Sequence, residues 1–430
     1  MDYLIRKVSI VDPGGKHHGK VVDVWVKDGI IREIGREIRR TGKTRSLQAP
    51  NSMLSGGWID IGCVGGEPGL EHRETLRSLA LSGAAGGFTG LCMFPNTRPA
   101  IQSKSEVNFI RSKSIDLPIH ILPIGAVSKG CIGQELAEIL QMREAGAIAF
   151  SDGMAPIQNS GLMMRALEYL KLVPGGLLIN QSLDHSLAGK GQVHEGPVST
   201  LLGLLGIPLL AETTFIHRDL ALLRYTASRL LVHKLSGEES VAILRAAKKQ
   251  LSGLFASVSI FNLVADASRL ENLDANYKLS PPLRDASDRK ALVRGVAEGT
   301  IDCIVSDHTP WDPESKDLEF QSAAFGSLSL QTCFRAYCTH LLDELGIDRW
   351  VEMQVHNTRS MLHLPVQHVE EGCAAELSWF VTGTHSLFTD GELHSLSRNC
   401  PYPGSSLRGK VLGVFSKGKF TPDGISEKLA

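Results

Sequence analysis

Up to residue 52, apolar and polar side chains alternate in short runs at 3–5, 8–11, 21–26 and 30–31, broken by Pro13-Gly14-Gly15 and Lys27-Asp28-Gly29. Period-two alternation marks half-buried strands, and Asp-Gly between two such runs is a hairpin signal. From residue 54 the texture changes. Strand-length apolar runs recur at 58–61, 88–94, 119–127, 147–150, 177–179, 230–232, 254–260 and 303–305. Stretches of helical periodicity lie between them, at 74–82, 133–145, 161–172, 216–228, 238–250 and 288–298. Eight buried strands alternating with helices predict a parallel (β/α)8 barrel of the TIM type. An open doubly wound sheet, the alternative, more often counts about five to seven strands. From about residue 372 the pattern returns to β, at 375–381 and 410–419. The expected organisation is a small β-domain built from both ends, residues 1–52 and 372–430, beside a barrel spanning 53–371.

Composition narrows the function classes. The 430 residues carry a net charge of −1, so no basic field points to nucleic acid and no polybasic face to a membrane. No apolar run reaches the roughly 18–20 residues of a spanning helix, and the N-terminal MDYLIRKVSI lacks a signal-peptide core. The eight cysteines are scattered and form no CxxC pair. A reduced, cytoplasmic protein is expected.

In a barrel of this type the chemistry sits at the C-terminal ends of the strands. There the chain offers Asp60, Pro95-Asn96-Thr97, Asp152, Gln181, His233-Lys234, Asn262 and Asp307-His308-Thr309-Pro310. With the segments IDIGCVGGEPG (59–69), GGFTGLCMFPNTRP (86–99), GAIAFSDG (146–153), INQSLDHSLAG (179–189), NYKLSPPLR (276–284), GTIDCIVSDHTP (299–310), AAFGSLSLQT (323–332) and SRNCPYPGSSLRGKV (397–411), the chain resembles dihydroorotase, of the amidohydrolase superfamily, over essentially its whole length. The resemblance implies a (β/α)8 barrel with a split β-domain, a place in pyrimidine biosynthesis, and ring hydrolysis and closure by a zinc-activated water. It also implies that 311–326 covers the active site.

The departures from that family pattern are concentrated at the metal. The family's first strand ends in Asp-x-His-x-His, where this chain has Asp60-Ile61-Gly62-Cys63-Val64. Gly66 stands where the resemblance places a substrate-binding arginine. The next two histidine positions fall on Gln181 and Lys234. His233 is one residue off, and alternation along a strand turns it to the opposite face. Thus Gly62, Val64, Gln181 and Lys234 occupy four lost ligand positions. Asp152 and Asp307 remain, the latter also the family's proton-shuttling residue, and Asn96, Asn276 and His308 match substrate-contacting positions.

A catalytic zinc needs about three protein ligands plus a water. Two carboxylates beside an ammonium do not supply them, and a water without the metal keeps a pKa of about 15.7 rather than about 7. The expectation is a non-catalytic homologue with no cofactor, acting as structural or regulatory partner of an aspartate transcarbamoylase-like protein or as a homo-oligomer. The alternative is an active cyclic amidohydrolase with a zinc site rebuilt from Asp152, Asp307 and His233 or His185. A third reading is a sensor in which Asn96, Asn276 and Arg98 grip a small anionic ligand. Each retained residue also has a plain structural role open to it: Asp152 as a turn acceptor, Asp307 as an ion pair with Lys234, and Cys63 as barrel-wall packing.

Overall fold

The computed structural model describes residues 2–40 and 44–422; residues 1, 41–43 and 423–430 of the expected β-domain lie outside the described residues. Mostly buried strands form at the strand-length apolar runs of the sequence. Trp58–Cys63, Phe88–Met93 and His120–Pro123 make one parallel sheet. Leu178–Gln181, Leu230–His233, Leu254–Ser259 and Cys303–Val305 make a second. The fourth stave is the shortest. Phe150 alone bridges Gly125 on one side and Leu178 on the other, with Ile148 N–H to Pro123 O at 2.9 Å and Ile179 N–H to Phe150 O at 2.8 Å joining the two sheets.

The ring closes through a side chain. No strand ladder joins Cys303–Val305 to Trp58–Cys63; instead the Asp60 carboxylate accepts Ser306 N–H at 2.7 Å and Ser306 Oγ–H at 2.6 Å. Val64 N–H to His308 O at 2.9 Å adds one backbone link. The fold is a (β/α)8 barrel.

Burial pushes the Asp60 carboxyl up to about 6, although the Ser306 bonds pull it down. Its folded pKa therefore exceeds the unfolded value of about 3.9. Between these values the native state holds more protons than the unfolded chain, so stability falls as pH rises from about 4 to about 6. An Asp60→Asn variant lacks this titration. Urea denaturation at pH 4.5 and pH 7 is expected to show the variant gaining on the parent by about 2 kcal/mol over that interval. A gap that does not change with pH would contradict the assignment.

Helices Leu76–Ala85, Ser160–Lys171, Leu210–Thr226, Glu238–Lys248 and Ala286–Ala297 follow the expected periodic stretches. Two places differ. The stretch expected as helix over 133–145 is helical only at Ile139–Ala145, because Gly133 sits at φ +71° and the chain turns there. Lys104–Lys113 forms a helix that the pattern left unassigned, since only Val107 and Ile110 of its ten residues are buried.

Strands from both chain ends build one eight-stranded sheet, in the order Lys419–Pro422, Ser406–Ser416, Leu377–Leu387, Met53–Gly56, Asp2–Ile10, Val21–Lys27 and Ile30–Gly35, with Arg45–Gln48 also on Asp2–Ile10. The Asp28-Gly29 hairpin is present, both residues at positive φ (53° and 73°) as a tight primed turn requires. Trp58 couples this sheet to the barrel. Its indole is wholly buried, with ring centroids of Phe334 at 4.7 Å, Phe380 of the terminal sheet at 5.1 Å and Trp350 at 5.3 Å.

Candidate active site at the barrel mouth

The strand ends deliver Gln181, Lys234 and Asp307 to one cavity of about 350 Å³, roofed by Trp311 and by Phe325 of the covering segment. Lys234 and Asp307 both leave their strands with a left-handed φ of 60°, so each side chain swings across the mouth. Lys234 Nζ donates to Asp307 Oδ1 at 2.8 Å and to Ser280 O at 2.6 Å. The second carboxylate oxygen accepts Ser259 Oγ–H at 3.0 Å. Gln181 Nε2 reaches Ser280 Oγ at 3.1 Å, and the strand end that carries it is fixed by Asn180 and Ser182, both donating to buried Asp219 at 2.8 and 3.0 Å. The mouth is a closed polar network.

The other metal-ligand positions are filled or turned away. A Cβ on Gly62 would lie 2.6 Å from the Phe94 ring and 3.1 Å from His233, so the space of an imidazole there is already occupied. Val64 is buried in an apolar cluster with Phe94. Asp152 spends both oxygens on the adjoining turn: Oδ1 accepts Val127 and Ser128 N–H at 2.9 and 2.8 Å, and Oδ2 accepts Ser128 Oγ–H. Burial still leaves its carboxyl above the ordinary range. Gly66 could not carry an arginine, since a Cβ there would meet Glu74 O at 2.3 Å. The donors present do not fit a zinc at this mouth.

His233 departs from expectation. Rather than facing outward, it is buried with its ring edge-on to Phe94 at 5.4 Å and Nδ1 at 3.0 Å from Ser257 Oγ. His233 shares the face of Leu231, and Lys234 faces the mouth as well because it lies beyond the strand with a left-handed φ. Burial, and then the neighbouring Lys234, push its imidazole well below the usual range, so it stays neutral.

The positions matched to substrate contact are dispersed. Asn96 braces the 152–154 loop, donating to Asp152 O and accepting Met154 N–H, each at 3.0 Å. His308 is buried with Nε2 3.4 Å from Glu74 and Nδ1 facing Ser329 N–H at 3.3 Å. Asn276 lines a neighbouring cavity of about 490 Å³ on the far side of Trp311. Arg98 and His185 are exposed and line neither cavity. Cys63 packs inside the wall, where burial holds its thiol well above its ordinary value.

The covering segment, 311–326, is tied to the fold by Lys278 and braced internally by Lys316. Lys278 Nζ donates to Phe320 O and Gln321 O at 2.7 and 3.0 Å, and Lys316 Nζ to Ala324 O at 2.8 Å. Burial lowers Lys278 to about 8; burial and then the Lys278 charge lower Lys316 to about 7. Trp311 Nε1 closes the segment on Phe325 O at 2.8 Å, with the Arg73 guanidinium 4.3 Å over its ring.

Phe94 and Ser280 escaped the sequence reading. A large side chain beside a strand end that has become glycine was the available signal for the first, and the SPPLR string for the second. The expectation of no cofactor also needs correcting beyond the mouth. Two groups elsewhere, Asp12-His356-His368 and His194-Asp285-Asp288, hold potential metal-ligand atoms within 4.8 Å of one another.

A family model described as Dihydro-orotase-like matches residues 52–240. The dihydroorotase of Pelotomaculum thermopropionicum is 35% identical over 413 residues, 95% of this chain and 96% of that protein. That of Caldicellulosiruptor saccharolyticus is 34% identical, covering 98% of this chain and 99% of its own. Among solved structures, the L-hydantoinase (dihydropyrimidinase) from Arthrobacter aurescens superposes with a TM-score of 0.85 at 19% identity, over 98% of each chain. The D-hydantoinase from a Thermus species gives 0.82 at 20%, over 98% of this chain and 96% of that one. The structural likenesses carry the barrel and its terminal sheet, and the full-length identities carry the family: this chain belongs to the dihydroorotases.

Proposed function

We propose that this dihydroorotase-family protein serves pyrimidine biosynthesis without hydrolysing the ring amide at its own barrel mouth. The observation that supports this is the Lys234–Asp307 pair at 2.8 Å, an ammonium seated where a cation would have to bind. Asp307 as a lone base would face an unactivated water, and its two oxygens are already bonded. The role that remains is as partner, with an aspartate transcarbamoylase-like protein as the candidate from the family resemblance. Gel filtration of the two proteins mixed is expected to give a joint peak; separate elution would remove that partner.

A second reading has its own support. The relatives at 34–35% identity over nearly the full chain bear the name dihydroorotase, and by themselves they favour an active cyclic amidohydrolase. Asp152 and Asp307 persist and a roofed cavity of about 350 Å³ remains. Anomalous scattering from crystals grown with zinc separates the readings. A peak between Asp152 and Asp307 would establish the second; no peak there, with Lys234 still on Asp307, is the outcome expected.

A further inference from the structure

A cluster remote from the barrel mouth has the donors of a transition-metal site. Asp12 follows strand Asp2–Ile10 of the terminal sheet; His356 lies in the helical segment Glu352–Asn357, and His368 in the strap leading back to the sheet. The Asp12 carboxylate is wholly buried and is oriented by Val369 N–H, which donates to Oδ2 at 2.9 Å. His368 Nδ1 sits 3.1 Å from Oδ1, and His356 Nε2 sits 3.3 Å from the same oxygen. That His356 nitrogen is buried and has no hydrogen-bond partner among the described residues. It faces the same carboxylate oxygen as His368 Nδ1, and the three ligand atoms lie within 4.8 Å of one another.

We infer that Asp12, His356 and His368 form a zinc-class metal site that clamps the terminal sheet to the barrel. Bond lengths of about 2.0–2.2 Å give a tetrahedral ligand edge of about 3.3–3.6 Å. The observed 3.1 and 3.3 Å separations approach that edge with little movement. Two neutral imidazoles and one carboxylate suit Zn2+, Co2+ or Ni2+, and the partly exposed His368 side leaves room for a water as fourth ligand. Binding displaces the proton shared by His368 and Asp12 to solvent and changes no oxidation state. The site joins positions 12, 356 and 368, so its yield is cohesion between sheet and barrel rather than chemistry.

The test uses the full chain, stripped with chelator and titrated with Zn2+ alone, then with Co2+ alone. One equivalent of zinc is expected to bind, and an excess of about 100-fold over Kd to raise Tm by about 3 °C. His368→Ala, at the partly exposed corner, is expected to weaken zinc binding by at least about 10-fold and to remove the Tm rise. Asp307→Asn is expected to keep both, which separates this site from the barrel mouth. His356→Gln serves as a second variant should His368→Ala fail to fold. The absorption of four-coordinate Co2+ should appear in the parent and vanish in the histidine variants. No saturable binding, binding unchanged in both histidine variants, or binding lost only in Asp307→Asn would each overturn the assignment.

Discussion

Replacing Lys234 by methionine is expected to cost about 3–5 kcal/mol of folding stability, the penalty of leaving one member of a buried ion pair without its partner. The pair is buried enough for that figure to apply, with side-chain exposures of 11% for Lys234 and 8% for Asp307. Methionine keeps the length of the stem but removes both hydrogen bonds of Nζ, to Asp307 and to Ser280 O. Asp307 would retain only Ser259. The control is the double variant with Asp307→Asn, which removes the charge that the lysine answers. It is expected to recover most of the loss, leaving about 1–2 kcal/mol for the Ser280 carbonyl and imperfect packing. Urea denaturation of the parent, both single variants and the double variant gives the coupling. Additive losses would mean that the two groups meet without holding one another.

The second large effect is expected at the other end of the same barrel. Trp58→Ala should lower stability by about 3–5 kcal/mol through lost burial and the cavity left among Phe88, Phe334, Trp350 and Phe380. It also strips Ser55 Oγ of the indole N–H it accepts at 2.9 Å. Because Phe380 belongs to the terminal sheet, the loss should loosen sheet and barrel together. Trp58→Phe, which keeps a ring but not the donor, is expected to lose less. Equal midpoints for parent and alanine variant would show that the ring cluster is not where the two sheets gain their cohesion.

The barrel was legible because its strands are buried on both sides and read as unbroken apolar runs. The weakest stave was legible too, although 147–150 contributes a single bridge rather than a ladder. Closure was not. Nothing in the pattern says that Asp60, inside the buried strand Trp58–Cys63, spends its carboxylate on Ser306 across the seam. At the mouth, the replaced positions Gly62, Gln181 and Lys234 could be read from the resemblance, and so could the possibility that Lys234 meets Asp307. Where the vacated volume went could not be read. Phe94 and His233 fill it, and that depends on packing distances and on a left-handed residue that breaks the strand's alternation. The Asp12 cluster was hidden for a different reason: its three members are joined only by tertiary contact, and each alone looks like an ordinary surface or turn residue.

The proposed lack of catalysis depends on Lys234, rather than a metal, answering Asp307. The most direct test is turnover of dihydroorotate, and of the reverse ring closure, by the purified chain with Zn2+, Mn2+ or Co2+ in excess. The expected rate is that of the buffer with each metal. Turnover above buffer that Asp307→Asn abolishes would contradict the account and make this chain a working cyclic amidohydrolase.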